Sequence, residues 1–129
     1  MQQPPIEERV RSFLLALSRT LGIRIERVLD LYLYATPDKV RIVEVVKRGG
    51  EVAGIRLTVR SEKKPDVWYY TAVGHYGAKC TCEGNTIGGK ICKHIIIGLI
   101  TWNMVSLLKQ SKEIDLTKLT WLHTGEKEI

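Results

Sequence analysis

The sequence predicts an α+β fold, with a small antiparallel sheet beside N-terminal helices and a long apolar helix near the C-terminus. Three observations carry this. Apolar residues recur at helical spacing from Ile6 to Leu21. Two β-branched runs flank Gly49-Gly50. A stretch without charge, rich in isoleucine and leucine, follows Lys93. The 129 residues suit one domain, 1–129, with one core. A hydrophobic fraction of 44% argues against disorder, and a mean hydropathy of −0.07 argues against a membrane protein.

Residues 1–5 read as a frayed leader without a secretory signal. Pro4 and Pro5 then sit where a helix can begin, because a first-turn proline loses no needed N–H. Ile6, Val10, Phe13, Leu14, Leu17 and Leu21 form its apolar stripe, and Gly22 stops it. Ile25, Val28, Leu29 and Tyr32 continue at helical spacing, while Leu29, Leu31 and Leu33 alternate. This segment therefore stays open between helix and strand, and Pro37 ends it.

Val40–Arg48 and Glu51–Val59 read as a hairpin, because Gly-Gly tolerates the positive φ angles of a tight turn. Counting back from Arg48 opposite Glu51 sets Val46 against Ala53, Ile42 against Leu57 and Val40 against Val59 on an apolar face. The other face receives Lys39, Arg41, Lys47, Arg56 and Arg60, with Arg56 opposite Val43 and Lys47 opposite Val52. Glu44 is the misfit, since it falls on the apolar side opposite Ile55. Val67–Val73 reads as a third strand, with Trp68 and Tyr70 beside the cationic face. Asp115 is placed to cap a last short helix carrying Leu116, Leu119 and Leu122.

All three cysteines fall within 13 residues, as Cys80-x-Cys82 and Cys92-x-His94. Three thiolates and one imidazole are the donor set of a closed, tetrahedral structural zinc site. Residues two apart on a strand point to one side, so Cys80 and Cys82 can aim at one point if the strand bends. Residues two apart on a helix face roughly 200° apart. Cys92 must therefore precede the first helical turn, with His94 just inside it. Glycines 84, 88 and 89 are expected to loosen the connecting loop. His75 is a weaker substitute ligand, and His123 reads as a surface residue.

These residues resemble the SWIM-type zinc finger family, whose signature is Cys-x-Cys, a variable gap, then Cys-x-His. The match runs through Cys80-Thr81-Cys82 and Gly89-Lys90-Ile91-Cys92-Lys93-His94, with an aromatic strand before and an apolar helix after. It covers 66–108, about a third of the chain. Glu83-Gly84-Asn85-Thr86 stands where the family often has Pro-Asp-aromatic. The resemblance implies a β-β-α zinc unit that binds DNA or protein. Such domains occur in Mutator-type transposases, chromatin-remodelling ATPases and the Shu-type recombination accessory complex.

The expected function is a non-catalytic zinc adaptor in DNA recombination, repair or transposition. Four protein ligands leave no open position for a catalytic water. Neither a nucleotide-binding glycine loop ending in Lys-Ser/Thr nor Gly-x-Ser-x-Gly is present. With a net charge of +6, Lys39, Arg41, Lys47, Arg56, Arg60, Lys90 and Lys93 are the candidate DNA contacts, and Lys79 lies near the ligands. A protein-interaction subunit without nucleic-acid contact is the second expectation. It rests on the apolar stretch after His94, read as a core helix with one face left for a homodimer or a protein partner. By analogy with the Shu-type complex, that partner is a recombinase-like ATPase. A zinc–thiolate redox sensor is the third. The odd cysteine count suggests a reducing compartment, hence a cytoplasmic location, or a nuclear one in a eukaryote.

Overall fold

A computed structural model describes residues 4–128, leaving aside the side chains of residues 87, 88 and 128. Part of the expected leader, residues 1–3, lies outside the described residues. The chain runs α1 (Ile6–Leu21), α2 (Ile25–Tyr34), β1 (Val40–Arg48), β2 (Glu51–Arg60), β3 (Trp68–Gly74), β4 (Gly77–Cys80), α3 (Glu83–Gly88), β5 (Ile91–Cys92), α4 (Lys93–Gln110), a 3₁₀ turn (Leu116–Lys118), α5 (Thr120–Thr124) and β6 (Lys127–Glu128). The fold is α+β, with a four-stranded antiparallel sheet in the order β1-β2-β3-β4.

The helical stripe of α1 buries Val10, Phe13, Leu14, Leu17 and Leu21, and Gly22 ends it at φ 67°. The ambiguous segment after it is helical: Val28 and Leu31 go inward from α2, while Leu29 and Leu33 stay exposed. α4 lies between the sheet and the α1–α2 pair. Ile95, Ile96, Ile97, Leu99, Trp102 and Leu107 are buried on it. Gly98 lets α4 approach the sheet, since a Cβ there would meet Val73 Cγ1 at 3.1 Å. Among the described residues, no helix is long and apolar enough to cross a membrane.

The hairpin turn forms at Gly49 and Gly50, with φ 57° and 81°. Its two ends pair as the turn requires: Arg48 with Glu51, and Ile42, Arg41 and Val40 with Leu57, Thr58 and Val59. The middle is shifted. Val43 is an extra residue on β1 and Ala53 an extra residue on β2, so Glu44 faces Arg56, Val45 faces Ile55 and Val46 faces Gly54. The expected pairs Val43–Arg56, Glu44–Ile55 and Val46–Ala53 are thus replaced. The physical reason is Glu44. The bulge takes its carboxylate off the core side and brings it 3.4 Å from Arg56 Nε. The second bulge restores the register before the turn and sends Val52 inward. Lys47 pairs with Val52 and leaves the expected cationic face, and Arg48 takes its place.

The C-terminal tail folds back against α1 and β5. Asp115 caps the 3₁₀ turn through Thr117 N–H at 3.0 Å, rather than one continuous helix. Leu116, Leu119 and Leu122 are buried, as their spacing predicts. Trp121 Nε1 donates to Gly74 O at 2.9 Å, and β6 pairs in parallel with β5.

Candidate metal centre

Each half of the Cys/His pattern sits where a strand gives way to a helix. β4 ends at Cys80, and the chain bends through Thr81 into α3, whose N-cap is Cys82. Thr81 holds the bend: its N–H donates to Tyr70 O at 3.0 Å, and its Oγ1 accepts from Tyr70 N–H at 2.9 Å. Cys92 ends β5 and is the N-cap of α4, with φ −90° and ψ 170°, and His94 lies in the first helical turn. This is the geometry that one-residue spacing at a helix start demands.

The structure brings Cys80, Cys82, Cys92 and His94 together. Their ligand atoms all lie within 4.8 Å of one another, and all four residues are buried. His94 Nδ1 is 3.7 Å from Cys80 Sγ. The arrangement is compatible with a metal ion. His75 is not part of it. Its ring instead packs edge-on against Trp102, 5.2 Å between centroids. His123 is exposed and its Nε2 lies 2.9 Å from Leu116 O.

The electrostatics divide the thiols. The Cys80 thiol is drawn well below its ordinary range, to about 3, first by the hydrogen bond from Cys92 and then by those from His94 and Thr71. Cys92 is pushed up, because it donates to Cys80 and because it is buried. Burial also raises Cys82. The protein frame thus favours one thiolate at Cys80, with Cys92 holding its proton. A bound dication would take over the role of those protons, so binding releases them.

Several supporting residues carried no signal in the Cys/His spacing. Asn85 joins the two halves: its Oδ1 accepts from Cys80 N–H at 2.9 Å and its Nδ2 donates to Lys90 O at 3.1 Å. Thr71 Oγ1 lies 3.5 Å from Cys80 Sγ. The Tyr69 ring lies 4.7 Å from the His94 ring, tilted 40°. The segment between Cys82 and Cys92 is a short helix capped by Gly89 at φ 64°, where a loosened loop was expected. An asparagine three residues after Cys82 is the one local hint of this.

The candidate DNA contacts are dispersed. Arg41, Arg56 and Arg60 lie on the outer sheet face, Arg41 stacking 4.3 Å over Trp68 and Arg60 Nε donating to Pro65 O at 2.7 Å. Lys39 stands opposite Arg60, whose N–H donates to Lys39 O at 2.8 Å, and its Nζ lies 4.7 Å over the Tyr34 ring. Lys47 projects from the other side at the turn. Lys90 follows α3, and Lys93 Nζ is paired with Glu62 at 3.0 Å. Glu62 is held below the ordinary carboxylate range by the Lys93 hydrogen bond, with Arg27 and His94 adding to it. Lys93 therefore ties the β2–β3 connection to the start of α4. No known protein family, curated protein or solved structure significantly matches this chain.

Proposed function

We propose that the chain is a non-catalytic, SWIM-type zinc adaptor that binds nucleic acid in DNA recombination, repair or transposition. One observation carries this reading: three cysteines and a histidine, buried and converging, with four good ligands for one ion. Zinc suits that donor set better than a hard cation, which would take oxygen ligands. Tetrahedral zinc–sulfur and zinc–nitrogen bonds would put sulfur and nitrogen roughly 3.6 Å apart. The 3.7 Å between Cys80 Sγ and His94 Nδ1 agrees with that. A four-ligand shell holds structure and leaves zinc no water to activate.

The test is elemental analysis of native material, with one zinc per chain expected. Cys92→Ser should lose the ion and melt the start of α4, because structural zinc binding is itself folding free energy, on the order of 10 kcal/mol in small fingers. Circular dichroism and metal content on the same samples would read both. Metal-free native protein with an intact fold would overturn the reading.

A second reading, as a protein-interaction subunit, is favoured by the apolar hollow between α1 and α2. It is lined by Ile6, Val10, Leu14, Leu29, Tyr32 and Met104 with Glu7 and Arg11, and Leu33, four residues after Leu29 on α2, is 69% exposed. Sedimentation of the pure chain, and of the chain with a recombinase-like ATPase, separates homodimer, partner and monomer.

A further inference from the structure

Among the described residues, α4 covers one face of the four-stranded sheet. α4 packs against its inner side, where Leu57, Val59 and Val73 are buried. Its outer side carries Arg41, Arg56, Arg60 and Lys79, with Arg48 at the turn end. Glu44 is set among them beside Arg56, and Glu51 stands opposite Arg48 with its carboxylate 3.1 Å from Lys112 Nζ. Aromatic rings lie on the same face. Trp68 is next to Tyr70 on β3, Tyr70 is 38% exposed, and Tyr76 at the β3–β4 turn is 84% exposed. Two of these rings already hold an arginine, Arg41 over Trp68 at 4.3 Å and Arg48 over Tyr76 at 5.2 Å.

Between these groups the face is hollowed. Gly54, Ala72 and Gly74 form the floor of a trough of about 350 Å³, with Val46 and Arg48 on one side and Tyr76 on the other. A second hollow, of about 470 Å³, is lined by Tyr70, Thr81 and Thr86. The two share Arg56, Ala72 and Lys79, so they form one path across the strands from Tyr76 to Tyr70. The floor is mostly backbone and small side chains, flat and apolar, and the rim is cationic.

We infer that this outer sheet face binds single-stranded DNA, with unpaired bases on Tyr70, Tyr76 and the apolar floor, and phosphates on Arg41, Arg48, Arg56 and Lys79. The inference deepens the nucleic-acid part of the proposed function and rests on it. Charge complementarity selects a polyanion, and the rings and floor select one with exposed flat faces. A duplex hides its bases, and the β1–β2 hairpin on this face is built into a four-stranded sheet rather than standing alone as a ribbon to enter a groove. An acidic peptide would satisfy the cations and leave the rings and floor unused.

The test is fluorescence anisotropy on the full, zinc-loaded chain with a labelled oligothymidylate of about 20 nucleotides, a matching duplex, a matching RNA and polyglutamate, across a salt series. Single-stranded DNA should bind roughly tenfold or more tighter than the duplex, as stacking of even one or two bases requires. Tyr76→Ala should raise Kd roughly 5- to 150-fold and leave the salt slope unchanged. Lys79→Ala should lower the magnitude of the log–log salt slope by about 0.7, the value for one phosphate contact on a single strand. Lys47→Ala, on the other side of the sheet, should change neither. Preference for duplex, RNA or polyglutamate would overturn the inference, as would a slope that responds to Lys47 and not to Lys79. Metal content is measured on the same samples. Stoichiometric metal with no DNA binding overturns this inference and spares the metal reading. DNA binding without metal does the reverse.

Discussion

Asn85 shows how much of the candidate site is held by residues that are not ligands. The Cys80-x-Cys82 and Cys92-x-His94 spacings are legible in the sequence because each is local, and strand and helix geometry fix where each pair must bend. The frame around them is not legible, because Thr71 and Tyr69 reach the cluster across the sheet and Asn85 reaches it from a helix too short to show a period. Asn85→Ala would leave Cys80 N–H and Lys90 O without their partners at the edge of the cluster. Losing such a partly buried bond costs about 1–3 kcal/mol. The expected outcome is a lower unfolding midpoint and faster loss of metal to a chelator, with all four ligands still present. A chelator rate equal to that of the unaltered chain would show that Asn85 does not position the cluster.

At the scale of elements, the hairpin marks where periodicity stops being informative. Its ends were readable: the Gly-Gly turn sets one and the alternation of Val40 and Ile42 sets the other. Its middle was not, because two one-residue bulges cancel and leave both ends in register. Only the misplacement of Glu44 hinted at them. The bulge at Ala53 also fixes how β2 meets β3. Gly54 faces Gly74, and a Cβ on Gly54 would lie 2.5 Å from Val73 O and 3.0 Å from Gly74 Cα. Both are backbone atoms, so no side chain can turn away. Gly54→Ala should therefore destabilise the protein by about 1–3 kcal/mol, read as a lower urea midpoint. Gly77→Ala on β4 is the control, since nothing lies within 4 Å of a Cβ there. It should stay within about 0.5 kcal/mol of the unaltered chain. Equal midpoints for the two variants would contradict the close strand approach.

At the scale of the whole molecule, α1 and the C-terminal tail tie segments at opposite ends of α4: the tail pairs with β5, which leads into it, and α1 bonds to Ser111, which ends it. Behind the metal cluster, β6 pairs with β5, and Trp121 clips the tail to β3. At the far end of α4, Arg9 on α1 reaches residues 102 and 104 positions away. Its guanidinium donates to Glu113, to Ser111 Oγ at 3.0 Å and to Ser111 O at 2.7 Å. Ser111 ends α4 at φ 53°, so Arg9 supplies a donor to a carbonyl at the helix end, where partners are scarce. Glu113 is held below the ordinary carboxylate range, first by the Arg9 hydrogen bond. A carboxylate depressed in the folded state adds stability that is fully present above its unfolded value, about pH 4.3, and is lost as the pH falls through the folded value. Glu113→Gln should therefore lower Tm by a few degrees at neutral pH, by an amount constant from about pH 6 to 8. The gap should close in acid, when the native carboxylate is protonated too. The Glu113 side chain is 41% exposed, so solvent screens the pair and added salt should narrow the gap at neutral pH. Thermal melts of both chains across pH, at low and high salt, check each part. A gap that persists unchanged into acid would assign the effect of the substitution to lost packing rather than to the charge that joins α1 to the end of α4.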